Sequence, residues 1–435
     1  MPVFALLNRR LGMTMVLLWL IVGGGIGSQA QVSSLPDCTS RPTAVSEELY
    51  VDNIRWCVEN IVHDPGLEPL SFTALEAAPD GRLFATRPLS GKVMVIRDTD
   101  GDALPDAVES FAEGLHLPNG LAYRDGYLFV AGGSKIYRIS ETGEVATLVD
   151  DLPAGTGFGA GGIAIGADDR FYLALGAPCN LCEFDDPDRG AILSMNLDGG
   201  DRQVVATGFR NPADLAFFRG QLWTLDSAPR QSQVNALDEL NQVQSGGWYG
   251  FPYCLGRDTV GIASAAQSCQ ESVPPVMQFG SGANPSSLAA YSQDVLPGTK
   301  DTLIVVLRGD PSQVDIVGYK VIMISFDESD QPLGATVLIP FRLQFGLQAY
   351  LPYFGEGLYW EKFIHLSEQG FGIYPQQPLA VAVSPQGWIY ISVTGGRIIA
   401  LRPRYDQTDY ESFYPLWTPM HPNFDPSAFP QTDAQ

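Results

Sequence analysis

The chain is 435 residues long and carries 26 Lys and Arg against 49 Asp and Glu, a formal net charge of −23. A polyanion of this kind lacks the clustered Lys and Arg that grip a phosphate backbone, so nucleic acid is excluded as a partner. Hydrophobic residues at 45% supply a large core, while 46 Gly and 32 Pro favour turn-rich β structure over helix, where each costs about 1–3 kcal/mol.

In chain order, Arg9 and Arg10 precede a mostly apolar stretch from Leu11 to Ile26, and Ser28-Gln29-Ala30 then supplies small residues for cleavage. That layout predicts a signal peptide over residues 1–30 and a secreted or periplasmic protein. The apolar run holds Gly23, Gly24 and Gly25 and falls short of the roughly 20 residues a spanning helix needs, so a membrane is a partner only if the leader stays uncleaved. Residues 31–64 read as an N-terminal extension. Six cysteines in an exported chain predict disulfides, and pairing sequence neighbours gives Cys38 with Cys57, Cys179 with Cys182 and Cys254 with Cys269. Cys179-Asn-Leu-Cys182 also has the spacing of a redox or zinc half-site, but no second such pair exists, and a structural disulfide is the expectation.

A phrase of strand, tight turn and strand then recurs. Its copies open at Thr73, Pro118, Gly162, Pro212, Pro285 and Pro378, and Pro118-Asn-Gly-Leu-Ala-Tyr-Arg-Asp-Gly-Tyr-Leu-Phe-Val-Ala131 is representative. A third strand follows most copies, as in Gly91–Ile96 and Arg397–Leu401. Six such units predict an all-β, six-bladed β-propeller over residues 65–404, because small sheets with two apolar faces are covered by neighbours when they close radially. Two long stretches, about 246–284 and 327–377, read as insertions at the mouth of the channel. Residues 405–435 read as a loosely packed tail. Within the first unit, Asp98-Thr-Asp100-Gly-Asp102-Ala-Leu-Pro-Asp106 alternates carboxylates around a Gly, the opening of a calcium loop or a solvated acidic turn.

Several motifs carry a resemblance: Leu117-Pro-Asn-Gly-Leu-Ala122, Arg189-Gly-Ala-Ile192, Ala206-Thr-Gly-Phe-Arg-Asn-Pro212, Asp238-Glu-Leu-Asn241 and Gly246-Gly-Trp-Tyr-Gly-Phe-Pro-Tyr-Cys254. In this order they resemble the quinoprotein glucose/sorbosone dehydrogenase family. The resemblance implies a mouth that binds pyrroloquinoline quinone (PQQ) with calcium and oxidises a sugar or aldehyde, the cofactor carrying the redox chemistry. It places Arg210 and Asn211 on the quinone, a guanidinium fork suiting carboxylates and carbonyls; the plain alternative is a buried Arg paired to Asp214 or Asp226. Ala228-Pro229 falls where family members offer backbone carbonyls to calcium.

Departures cluster at the chemistry. Where the family has a His as general base, the segment Gly155–Ile163 has Phe158, and Gly161 stands where an Arg often follows. None of the four histidines replaces it by position: His63 precedes the repeats, His116 sits in a turn, His365 in an insertion and His421 in the tail. The family's His-Gly-Ser-Trp-like turn reads Arg308-Gly-Asp-Pro311, where Arg308 is a compensating cation, and its Gly-Arg-Pro turn reads Gln376-Gln377-Pro378. Two functions follow: a dehydrogenase-like propeller acting on a small-molecule sugar or aldehyde, or a non-catalytic propeller binding a glycan or protein at the mouth. A metal-dependent lactonase of the same architecture lacks its ligand set here.

Overall fold

The structure is a computed structural model and describes residues 40–45, 49, 51, 55–231, 234–257, 259–263, 268–296, 298–312, 317–339, 350–351 and 373–404. The expected leader and tail, Cys38, His365 and His421 lie outside the described residues. No helix among the described residues is long and apolar enough to cross a membrane.

Six antiparallel sheets form the blades of a propeller. Their innermost strands are Leu75–Ala77, Pro118–Arg124, Ala160–Ile165, Pro212–Phe218, Pro285–Tyr291 and Pro378–Val383, each lying against the next so that the last meets the first. A separate apolar cluster fills each interface between blades. Between blades four and five, for example, Trp223 and Leu225 pack with Leu303, Val305 and Ile324. The alternation of apolar residues on both sheet faces therefore has one cause: every face of every blade is an interface.

The ring closes through a strand that the repeat does not reveal. Trp56–His63, in the stretch read as an extension, pairs antiparallel with Arg397–Pro403 as the outer strand of blade six, so the propeller begins upstream of residue 65. Glu59 anchors this closure while fully buried, accepting Arg402 Nη2 at 2.6 Å and forming an ion pair with Arg41, whose Nε lies 2.5 Å away. The two stretches read as insertions likewise each supply an outer strand, Met277–Phe279 in blade four and Pro332–Ile339 in blade five. Tyr350–Leu351 adds a fifth strand to blade five.

The inner strands share an irregularity. In five of the six, the pairing with the second strand shifts register at the very start, between Pro118 and Gly120, Ala160 and Ile163, Pro212 and Leu215, Pro285 and Ser287, and Pro378 and Ala380. A leading proline has no N–H to give the ladder, and a bulge there turns the following residue out of the sheet. Close approach of the strands adds its own demand: a Cβ on Gly120 would lie 2.5 Å from the Gly161 carbonyl oxygen, and one on Gly161 2.7 Å from that of Pro212.

Candidate functional site

The bulges converge on one end of the channel. Asn119, Gly161, Asp214, Ser286 and Leu379 all line a mouth cavity of about 340 Å³, a size within the usual range of small-ligand pockets. Phe158, Asn211, Asn284 and Arg308 complete its wall. Beyond a waist at Leu75, Leu121 and Asp214, which line both spaces, a second cavity of about 300 Å³ continues towards the opposite face.

Arg210 and Asn211, read from sequence as a pair, are separated in role. Arg210 does not line the mouth cavity. Its Nε and Nη2 donate to Asn180 O at 3.0 Å and Asn180 Oδ1 at 2.6 Å, and Nη1 donates to Ser227 O at 2.7 Å. The guanidinium lies over the Phe158 ring, 4.4 Å from its centroid, so Phe158 stands between this cation and the mouth. The Cys179–Cys182 disulfide closes the four-residue loop that presents Asn180. The expected alternative, a direct guanidinium–carboxylate pair, is not what fixes Arg210. Asp226 instead accepts the backbone N–H groups of Arg210 and Asn211 at 2.9 and 2.6 Å, which aims the Asn211 side chain at the cavity.

Arg308 is the contrasting cation. Its Nη2 reaches Gln377 Oε1 at 3.5 Å, and its buried Nε has no hydrogen-bond partner. Burial pulls its proton affinity down, although a guanidinium remains charged at any working pH. The two positions that depart from the family pattern in blades five and six thus meet each other, Gln377 Nε2 also donating to Gly309 O at 3.0 Å.

Ala228 and Pro229 sit away from the mouth. With Arg210, Asp226 and Glu239 they line a separate space of about 10 Å³, room for one water. Around it burial pushes Asp226 up to about 6 and Glu239 up to about 8, the latter helped by repulsion from Asp226. Asp238 is raised for the same reason, against the pull of Arg230, which also pairs with Asp310.

The acidic turn of blade one brings three of its four carboxylates together. Asp98, Asp100 and Asp106 place ligand oxygens within 4.8 Å of one another, all exposed. Asp102 turns away to accept the N–H of Leu104 at 2.7 Å, and its carbonyl accepts Arg41 Nη1 at 2.7 Å. His116 is exposed and is not part of the cavity wall; its backbone N–H donates to the Tyr137 hydroxyl at 3.0 Å. Cys254–Cys269 forms as the second expected disulfide. Sequence reasoning overlooked Asn119, Asn284 and Glu76 and named Asp214 only as a partner for Arg210. Their signal was present, since Glu76 and Asp214 break small-residue positions of the repeated phrase and Asn119 and Asn284 flank its leading proline.

Residues 140–309 match the family model described as Glucose / Sorbosone dehydrogenase. Over that span the chain is similar to the glucose/sorbosone dehydrogenase family. The matched span holds Phe158, Arg210, Asn211, Ala228, Pro229 and Arg308 and excludes the Asp98 turn. No curated protein matches. Among solved structures, the holo PQQ domain of pyranose dehydrogenase from Coprinopsis cinerea is similar at 14% identity and TM-score 0.63, covering 81% of this chain and 96% of that one. A calcium structure of a Trichoderma reesei carbohydrate-active enzyme of family AA12 shares 15% identity at TM-score 0.60, covering 84% and 98%. The PQQ-bound aldose sugar dehydrogenase of Streptomyces coelicolor shares 19% at TM-score 0.51, covering 81% and 99%. At these identities the likeness is one of fold, a six-bladed propeller.

Proposed function

We propose that this glucose/sorbosone dehydrogenase-type propeller is exported, binds PQQ in its mouth cavity and oxidises a sugar or a related aldehyde there. The observation that carries the reading is Arg308 at the wall of a cavity of about 340 Å³, a guanidinium held by a 3.5 Å contact to Gln377 and with no hydrogen bond at its buried Nε. A cation with so few partners is costly to bury, and an anionic ligand rich in carboxylates and carbonyls would pair with it. Asn211 and Asn284 line the same wall and add neutral donors and acceptors. The donor set therefore fits the quinone. When bound, PQQ would supply the hydride acceptor.

In this reading Arg308, Asn211 and Asn284 hold the cofactor. Arg210 acts from behind Phe158 as a fixed positive charge. Ala228 and Pro229 line the small space beside it and are assigned only to the shape of that wall. The carboxylates of Asp98, Asp100 and Asp106, whose oxygens already converge, are assigned to a calcium ion that braces the outer turn of blade one. The leader over residues 1–30 is assigned to export.

The test is equilibrium titration of the purified protein with PQQ and calcium, followed by dye reduction with a panel of aldoses and aldehydes. Quinone binding with turnover supports the reading, and absence of binding at saturating quinone defeats it. Quinone binding without turnover moves the protein to the non-catalytic class, a propeller presenting its mouth to a glycan, a role favoured by Phe158 standing where the family has its base.

A further inference from the structure

The repeated inner-strand phrase allows its six copies to be compared position by position. Aligned on Leu75, Leu121, Ile163, Leu215, Leu288 and Val381, the preceding position carries Ala74, Gly120, Gly162, Asp214, Ser287 and Ala380, and the following one carries Glu76, Ala122, Ala164, Ala216, Ala289 and Ala382. One carboxylate breaks each otherwise small-residue position. A carboxylate among the small side chains of this ring departs from the local rule, and such departures concentrate at working sites. The two offenders stand on blades one and four, which face each other across a six-membered ring. Asp214 lines both the mouth cavity and the cavity beyond it, and Glu76 lines the second. No other carboxylate lines either space among the described residues.

We propose that Asp214 is the proton acceptor of the mouth cavity and that Glu76 is its partner, passing the proton on towards the opposite face of the propeller. This rests on the oxidoreductase reading of the mouth and gives it the base that Phe158 does not provide. In the step, with PQQ bound as hydride acceptor, the substrate O–H bond would break and pass its proton to an Asp214 oxygen, the carbon bearing that hydroxyl would give up its hydride, and the C–O bond would become C=O. Oδ2 already accepts the Ser287 hydroxyl at 2.8 Å and the Leu288 N–H at 3.0 Å, whereas Oδ1 accepts only the adjacent Leu215 N–H at 2.9 Å. Oδ1 is therefore the oxygen with room for a proton.

The electrostatics agree. Burial pushes Asp214 up to about 6, against its three hydrogen bonds, and burial with the charge of Asp214 pushes Glu76 up to about 7. At neutral pH Asp214 is ionised and ready to accept, and Glu76 is poised between its two forms. The neighbouring strands bring no charge to bear: blade two offers the Tyr123 N–H to Glu76 at 2.9 Å, blade three presents Gly162, and blade five presents Ser287 and Leu288. Of the two cations in these cavities, Arg308 contacts Gln377, and Arg124 is paired with Asp169 and Asp125.

Both carboxylates also tie neighbouring blades, since each accepts an N–H from the next inner strand. Asp214→Asn and Glu76→Gln keep that acceptor while removing the proton site, which separates the two roles. Difference infrared titration of the full-length apoprotein against Asp214→Asn and Glu76→Gln, which cancels the signals of the raised Asp226, Asp238 and Glu239, should show that each variant loses one carboxyl protonating well above the ordinary range. In Asp214→Asn the remaining group, Glu76, should titrate lower, because the neighbouring charge is gone. With PQQ bound, Asp214→Asn should slow substrate oxidation at least about 100-fold without weakening PQQ, and Glu76→Gln should slow it about 10-fold and shift the acid limb of the pH profile. Wild-type turnover by Asp214→Asn, or two carboxyls titrating independently at ordinary values, overturns the proposal. A wild-type protein that fails to bind PQQ defeats the functional reading instead, and the infrared titration still decides whether the pair is coupled.

Discussion

Two arginines flank the mouth and have opposite fates. Arg210, in the motif that resembles the family most closely, has its fork consumed by Asn180 and Ser227 and its face covered by Phe158. Arg308, in a turn that departs from the family, lines the cavity wall with a 3.5 Å contact to Gln377 and no hydrogen bond at its buried Nε. The difference teaches that identity of a residue with a motif says which groups are present, whereas free hydrogen-bonding capacity says which of them is available to a ligand.

Exchanging the two roles is the most direct way to break this comparison, and the larger effect belongs to Arg308. Removing a charge-assisted contact costs about 1.5–3 kcal/mol, so Arg308→Ala should weaken PQQ roughly 10- to 150-fold while melting close to wild type. Arg210→Ala should do the reverse. It strands the Asn180 and Ser227 acceptors and the face of Phe158, lowering stability by about 2 kcal/mol in a denaturant titration, with PQQ affinity changed less than about threefold. Equal losses of affinity in the two variants would erase the distinction.

The propeller itself was legible because its signal is local. The phrase of leading proline, small residue, Leu and Ala repeats within about a dozen residues, and each copy sets its own strand, bulge and turn. The closing strand Trp56–His63 was not legible, since its partners lie at the far end of the chain: Arg402 and Glu59 are 343 residues apart. The outer strands of blades four and five were concealed for a related reason, as they follow long connections that break the spacing of the repeat. At the site, identity picked out Arg210 and Asn211, and position picked out Phe158 and Arg308. What no motif carries is the direction of a side chain. Arg210 is turned by Asn180, 30 residues earlier, and the family pattern is silent about that contact. Asp214 and Glu76 were visible only when the copies were compared with one another rather than with a family.

The weakest expected effect lies behind Arg210, where the small space is ringed by acids, and it sharpens the contrast by asking what that side of the mouth costs. Glu239 is fully surrounded by protein, and burial raises it to about 8 in the folded chain, against about 4.5 for an ordinary glutamate. A raised carboxyl contributes its stability in full below the unfolded value, where both states are protonated. As pH climbs from about 4.5 to about 8, the unfolded chain ionises while the folded one resists, so stability falls and then levels off. Glu239→Gln keeps an oxygen for Asn241 Nδ2, now donating at 3.0 Å, and removes the titration. The variant should melt within about 1 °C of wild type at pH 5 and a few degrees above it at pH 9. An equal difference at both pH values would mean that Glu239 already carries its charge in the fold, with a cation or a water network satisfying it. The carboxylate that acts on Arg308 is Asp310, which is held low rather than raised, so Arg308→Ala should show no matching pH dependence of stability. That asymmetry would separate a structural cation, set among acids that its own burial has made costly, from one left open for a ligand.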